Sequence, residues 1–160
     1  MNTRQITGII IHCSGTPDGK WFSTQDIDHW HRERGFKRDE ASRQRFNSGL
    51  HAIGYHYVIY TNGAIATGRS EAEIGAHAQG FNSKSIGICL IGTDKFSLAQ
   101  WDSLRDLVCI LRRDSKYPNA RITGHRNLPD VHKTCPGFSV SDWLADDMQP
   151  LSGHLFEAES

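Results

Sequence analysis

The chain has 160 residues, enough for one domain whose interior needs no disulfide to be stable. Lysine plus arginine number 18, as do aspartate plus glutamate, and this zero net charge indicates neither a nucleic-acid partner nor attraction to anionic lipid. No apolar stretch has the pattern of a signal peptide or the length of a membrane span, so we predict synthesis in the cytoplasm, without a signal peptide or membrane insertion.

The N-terminal sequence predicts a buried strand followed by a short helix. Isoleucines dominate residues 7–13, as is typical of a strand in the core, and that strand ends near His12. Ser23 and Asp26 have the spacing of a helix N-cap, and the helical pattern continues to Gly35. The imidazole at the end of so apolar a strand therefore needs an explanation.

The middle of the chain predicts a loop, a hairpin and a further strand. Residues 36–49 are basic, polar and aperiodic, so we expect an exposed loop there. Residues 55–69 alternate aromatic and aliphatic side chains on both sides of Asn62-Gly63, a pair that suits a hairpin turn. Residues 85–92 have the pattern of another buried strand, with glycine where the backbone can be approached closely.

The remaining sequence predicts one long helix, one strand and one terminal helix. Ser97 and Gln100 form a capping box. The apolar stripe behind them consists of Leu98, Trp101, Leu104, Val108 and Leu111. Residues 117–119 end this helix, residues 120–123 predict a strand, and a last helix is expected over 139–148. Strands interleaved with helices, together with one hairpin, predict an α/β fold with a mixed sheet.

Three side chains that bind metals follow predicted strands. His12 ends the first strand, while His125 and Cys135 lie in the loop after the last one. In open α/β sheets the carboxyl ends of strands converge on ligand sites. Two imidazoles and a thiolate form a known catalytic zinc set that leaves the fourth position for water. We therefore predict one zinc ion per chain, with a structural site closed by His132 as the alternative.

The other three cysteines are predicted to be structural residues. Cys13 is adjacent to His12 on the strand, so its side chain should point to the opposite face and enter the core. Cys89 and Cys109 lie in apolar runs and are also expected to be core residues. None of them has the spacing of a CxxC motif.

Five separated motifs carry a resemblance to a known family. They are IIIHCSGT, IGYHYVIYTNG, GAHAQGFNSKSIGICLIG, TGHRNL and HKTCPGF. In this order they resemble the zinc-dependent N-acetylmuramoyl-L-alanine amidases of the amidase-2 type, which include amidase-type phage lysozymes and, more distantly, peptidoglycan recognition proteins. The resemblance extends over about residues 6–143 of a single domain, 1–160. Residues 148–160 are expected to be a tail, in which His154 is solvated.

The resemblance implies roles for individual residues. The zinc ligands would be His12, His125 and Cys135. Tyr55 and Lys133 match the catalytic tyrosine and lysine of the family, while His77 and Asn82 match positions near the substrate groove. The implied fold is a central mixed β-sheet of about five strands flanked by helices, with the zinc in a surface cleft. Residues 36–53 form a longer segment here than in the phage proteins.

The implied activity is zinc-dependent hydrolysis of the amide bond between N-acetylmuramic acid and L-alanine in peptidoglycan. The substrate would be peptidoglycan or a muropeptide, and the protein a monomer that acts on the cell wall, in the periplasm, after its release. A phage or prophage endolysin fits this description, and a bacterial remodelling or recycling amidase and a delivered toxin are alternatives. A non-catalytic peptidoglycan-binding module is the alternative from another class, and Cys135 argues against it because such modules typically replace that cysteine.

Overall fold

The computed structural model describes residues 4–113 and 117–157. The strands are β1 (Gly8–Cys13), β2 (Tyr57–Ile59), β3 (Ile65–Thr67), β4 (Ser85–Leu90) and β5 (Arg121–Gly124). The helices are α1 (Thr24–Glu33), α2 (Glu40–Arg45), α3 (Leu98–Arg113) and α4 (Val140–Ala145). Short 3₁₀ turns cover Asn82–Lys84 and His125–Asn127.

One sheet joins the five strands in the described part of the chain, in the order β3-β2-β4-β1-β5. β1 pairs in parallel with both β4 and β5, and β2 is parallel to β4. β3 is antiparallel to β2, with Val58 opposite Ala66, so the predicted hairpin around Asn62-Gly63 is confirmed. The mixed five-stranded sheet flanked by helices confirms the predicted α/β fold class.

The sheet separates two apolar clusters of unequal size. The larger one contains Ile9 and Ile11 of β1 together with the buried side chains of α3 and α4, among them Trp101 and Trp143. The smaller one lies on the opposite face and contains Ile27 of α1 with side chains such as Val58. Because β1 is an alternating strand, its even-numbered side chains face this smaller cluster.

The predicted N-termini of α1 and α3 are confirmed. Ser23 and Asp26 cap α1 reciprocally. Ser97 and Gln100 do the same before α3, since each backbone N–H donates to the other side chain at 2.9 and 3.1 Å. No helix within residues 4–113 and 117–157 combines the length and apolarity that would let it cross a membrane. The predicted end of α3 adjoins residues 114–116, which lie outside the described residues.

The predicted exposed loop at residues 36–49 is wrong in two respects. It contains α2, whose N-cap Asp39 accepts a hydrogen bond from the Ser42 N–H. It also contains Arg38, whose side chain is fully buried and forms two hydrogen bonds with the Glu73 carboxylate, at 2.8 and 2.9 Å. α2 has no buried residue, so it leaves no apolar periodicity in the sequence from which it could be predicted.

The C-terminal segment differs from the predicted solvated tail. His154 is half-buried, and its carbonyl accepts hydrogen bonds from the Phe96 N–H and from the Trp101 indole. Leu155 forms a β-bridge with Phe96, and the Phe156 ring covers Gly19. These contacts fix residues 151–157 on the domain. α4 is also shorter than the helix expected over 139–148, since it ends at Ala145.

The buried Arg38–Glu73 ion pair yields the first prediction. Arg38→Ala leaves Glu73 without its bidentate partner and removes the donor to the carbonyls of Phe46, Asn47 and Leu50. Breaking a buried pair costs about 3–5 kcal/mol, so we expect a loss of that size in the free energy of unfolding, measured by urea denaturation. The control is Arg105→Ala, because the exposed pairs of Arg105 contribute at most about 1 kcal/mol. Equal costs for the two variants would contradict the prediction.

Candidate metal centre

His12 lies at the carboxyl end of β1, on the face opposite Ile9 and Ile11. Only 1% of its surface is exposed. Cys13 points to the other face and packs against the larger apolar cluster, as predicted, although it is half-buried rather than fully enclosed. The alternation of β1 therefore sends the imidazole and the neighbouring thiol to different sides of the sheet.

The parallel pairing of β1 and β5 brings His125 to His12. Ile11 is paired with Gly124, so the next residue of each strand continues side by side past the edge of the sheet. The two imidazole centroids are 4.6 Å apart. The loop then returns Cys135, because the Arg126 N–H donates to the Cys135 carbonyl at 2.7 Å and the Cys13 N–H donates to its Sγ at 3.2 Å.

The donor atoms of His12, His125 and Cys135 all lie within 4.8 Å of one another. The His12 Nδ1 faces the Cys135 Sγ at 3.8 Å. Two imidazole nitrogens and a sulfur match the ligand chemistry of a three-ligand zinc site. His132, the alternative fourth ligand, is exposed and does not belong to this cluster in the described part of the chain.

The surroundings of the three candidate ligands favour their neutral forms. Burial lowers the pKa of His12 well below its ordinary value, and nearby charges, including that of Lys133, lower it further. Burial followed by the charge of Lys133 also lowers the pKa of His125. The interaction with Cys13, followed by burial, raises the pKa of Cys135. Neutral imidazoles have a free lone pair for a metal, and a bound cation would favour the thiolate of Cys135.

Tyr55 contacts the cluster directly, whereas Lys133 influences it by its charge. The Tyr55 ring lies 5.2 Å from the His12 ring and 5.3 Å from the His31 ring. Burial raises the pKa of Tyr55 well above its ordinary value, so its hydroxyl stays protonated. Lys133 is exposed, and its charge is close enough to influence both histidines of the cluster.

His77 contacts His12, and Asn82 holds the backbone of His77. The His77 Nδ1 is 2.8 Å from the His12 Nε2. The Asn82 side-chain oxygen accepts hydrogen bonds from the backbone N–H groups of His77 and Ala78, at 2.8 and 2.9 Å. Substrate contact by these two residues stays a prediction, while the structure gives both of them contacts within the protein.

The polar supports of Tyr55 were not among the residues that we predicted from the sequence. The Asp28 carboxylate accepts hydrogen bonds from the N–H groups of Ala52 and Ile53, at 2.6 and 2.8 Å. The His31 Nδ1 accepts one from the Gly54 N–H at 2.9 Å. These contacts fix the segment before Tyr55 to α1. The signal was present in the sequence, because Asp28 and His31 are polar residues three apart on the otherwise buried face of an amphipathic helix.

A cavity of about 810 Å³ lies away from this centre, at the opposite end of the sheet. Its lining includes Arg4, Tyr57 and Glu71 but none of the three candidate ligands. The charged groups there are occupied within the protein. Arg4 donates to backbone carbonyls, among them that of Glu71, whose carboxylate accepts from the Tyr57 and Tyr117 hydroxyls. The cavity's size alone therefore does not make it the reactive site.

The fold and the centre together define a class of protein, namely α/β domains with a three-ligand candidate metal site at the carboxyl ends of parallel strands. A family model described as N-acetylmuramoyl-L-alanine amidase matches residues 2–138. The endolysin of Escherichia phage T7 is 34% identical over 143 residues, which cover 84% of this chain and 83% of the phage protein. The chain therefore belongs to the N-acetylmuramoyl-L-alanine amidase family, and it is an enzyme of that activity.

Solved structures have the same fold. The amidase LysC from Clostridium intestinale superposes with a TM-score of 0.70 at 23% identity, covering 92% of this chain and 88% of that one. A mutant of Drosophila PGRP-LB in complex with tracheal cytotoxin superposes with a TM-score of 0.63 at 27% identity, covering 97% of this chain and 86% of that one. The predicted family resemblance is thus confirmed by sequence, and the structures agree in fold.

The buried His31 yields a prediction on pH. Burial, followed by nearby charges, lowers its pKa from 6.5 to about 4. As the pH falls, His31 is therefore protonated in the unfolded chain before it is protonated in the folded protein. The stability that neutral His31 contributes is present above pH 6.5 and is lost towards pH 4. The loss amounts to roughly 3 kcal/mol by pH 4. His31→Asn keeps an acceptor for the Gly54 N–H but has no group that titrates in this range. In this variant the free energy of unfolding should therefore fall by about 3 kcal/mol less between pH 7 and pH 4.

The measurement is the free energy of urea unfolding between pH 7 and pH 4, with chelator present so that metal release does not contribute. His29→Asn is the control, because His29 is exposed and forms an ion pair with Glu33 on the helix surface. A decline as steep in His31→Asn as in the His29→Asn control would contradict the prediction.

Proposed function

We propose that this amidase hydrolyses the bond between N-acetylmuramic acid and L-alanine with one zinc ion held by His12, His125 and Cys135. The supporting observation is the approach of these three donor atoms to within 4.8 Å in a member of the amidase family. A bound zinc ion supplies Lewis acidity, which lowers the pKa of water to about 7 and polarises the amide carbonyl. The remaining steps are the work of the chain's own side chains.

Lys133 stabilises negative charge in this proposal. Lys133 is exposed and lies two residues before Cys135, so its ammonium group can approach the oxygen that becomes anionic when the amide is attacked, the task of an oxyanion hole. Tyr55 orients the attacking water and shuttles a proton, because a neutral phenol both donates and accepts hydrogen bonds. Its contact with the His12 ring gives it a fixed position for this task.

The biological setting that we propose is a phage or prophage endolysin. The support is the likeness to the T7 endolysin along most of both chains. The substrate is then peptidoglycan or a muropeptide, and the protein acts as a monomer on the cell wall, in the periplasm, after release from the cytoplasm. A likeness to a protein in complex with tracheal cytotoxin is compatible with this substrate class.

Purified peptidoglycan provides the test of function. We expect new L-alanine amino termini without new reducing sugar ends, and one zinc per chain by atomic spectroscopy. Cys135→Ser should abolish both tight zinc binding and cleavage, because a serine hydroxyl is a poor zinc ligand. The loss of affinity should exceed the roughly 100-fold that changes beyond the direct ligands cause. Cys109→Ser on α3 is the matched control and should keep both properties.

Each contrary result has a separate meaning. A zinc-loaded and fully active Cys135→Ser variant would remove Cys135 from the ligand set. Binding of peptidoglycan without cleavage would contradict the amidase activity. New reducing sugar ends would show that a different bond is cut.

Lys133→Ala separates metal binding from turnover. We expect zinc content to stay at one per chain and kcat to fall roughly 10²–10³-fold, the usual cost of removing an oxyanion donor. Steady-state kinetics on a soluble muropeptide give kcat, and Lys84→Ala, an exposed lysine before β4, is the control. An unchanged kcat in Lys133→Ala would exclude the proposed role.

A further inference from the structure

Behind the metal centre, a series of hydrogen bonds begins at His12 and ends at a backbone carbonyl. The His12 Nε2 is 2.8 Å from the His77 Nδ1. The His77 Nε2 is 3.2 Å from the Ser85 Oγ, and the Ser85 hydroxyl donates to the Phe81 carbonyl at 2.8 Å. We name these four groups the His12 series. It leaves the other nitrogen of His12, Nδ1, facing Cys135.

The carbonyl at the far end fixes the direction of every bond in the series. A carbonyl oxygen only accepts, so the Ser85 hydroxyl must give it its single proton. The Ser85 oxygen can then only accept a hydrogen bond from His77. The His77 Nε2 must therefore carry the proton of that ring. The His77 Nδ1 is thereby a lone pair, because a neutral imidazole has one donor and one acceptor. It can only accept, so the His12 Nε2 must carry the proton of that ring.

From this directionality we infer that His77 is a positioning residue, which holds His12 in the one neutral tautomer whose Nδ1 lone pair faces His125 and Cys135. The inference rests on the proposed metal site and deepens it. It gives His77 a task other than the substrate contact that the family resemblance suggested. His77 itself need not touch the metal or the substrate for this effect.

The surrounding backbone is shaped to hold His77. Gly87 of β4 lies against its ring, and a Cβ at that position would be 2.6 Å from the His77 Cγ. Only glycine therefore leaves room for the imidazole between β4 and His12. The Asn82 side chain also fixes the backbone here, because its oxygen accepts hydrogen bonds from the N–H groups of His77 and Ala78. Both supports lie in one motif, GAHAQGFNSKSIGICLIG, which also contains Ser85.

The tautomer can be measured without any activity assay. Long-range ¹H–¹⁵N correlation spectra of the uniformly ¹⁵N-labelled, chelator-treated full chain identify which ring nitrogen carries the proton. We expect His12 to be protonated on Nε2 and His77 on Nε2. His77→Leu should give a mixture of His12 tautomers, while His77→Asn, which can present an acceptor oxygen near the former Nδ1, should keep more of the native form.

Zinc affinity is the second measurement, made by competition with a chromophoric chelator. We expect affinity to fall roughly 10–100-fold in His77→Leu, as for other changes to groups that orient a metal ligand. Ser85→Ala should act in the same direction, and it tests the series if His77→Leu does not fold. His29→Leu, which removes an exposed imidazole, is the matched control and should bind zinc like the native chain.

Two results would overturn the inference. One is a native His12 protonated on Nδ1 in the metal-free protein, and the other is zinc affinity within twofold of native in both His77→Leu and Ser85→Ala. Failure of the proposed function looks different. A native chain that binds no zinc contradicts the metal centre, whereas a zinc-binding native chain with the opposite His12 tautomer contradicts only the role of His77.

Discussion

The parallel pairing of β1 with β5 is the constraint on which the candidate metal centre depends. Strands that run in the same direction end at the same edge, and the register sets Ile11 beside Gly124. Since neighbouring strands lie about 4.8 Å apart, the residues that follow are within reach of a common ion. An antiparallel β5 would send His125 to the far end of the sheet. The topology, more than any local preference of the two histidines, therefore brings them together.

The face of the sheet that carries His12 is built differently from the other. On the α3 side, apolar side chains fill the space, and apolar packing does not require the defined geometry of hydrogen bonds. On the α1 side, the smaller apolar cluster is accompanied by buried polar groups such as Asp28, Arg38 and Glu73. Burying such groups contributes little net stability, but each one that is paired fixes a backbone segment in a defined position. This face therefore has fewer apolar contacts and more hydrogen bonds of defined direction around the candidate ligand His12 and around Tyr55.

The sequence predicted the parts of this arrangement that follow from short-range rules. Alternation in β1 predicted that His12 and Cys13 point apart, and capping boxes predicted where α1 and α3 begin. α2 escaped prediction because it buries no face, and the C-terminal segment because it is held by backbone hydrogen bonds to Phe96, which leave no periodic pattern. The contact of His77 with His12 joins residues 65 positions apart and depends on Gly87, so no local signal could reveal it.

His12 is held from three directions, which explains how a nearly buried imidazole can keep one nitrogen available. His77 occupies the Nε2 side, the Tyr55 ring packs against the imidazole ring, and the main chain of β1 is fixed by strands on both sides. Tyr55 in turn is positioned through Gly54, which is bound to His31 of α1. These contacts together restrict rotation of the His12 ring. In the proposed zinc site, a ligand that is fixed before the metal binds loses little conformational entropy on binding, so these supports lower the entropic cost of metal binding.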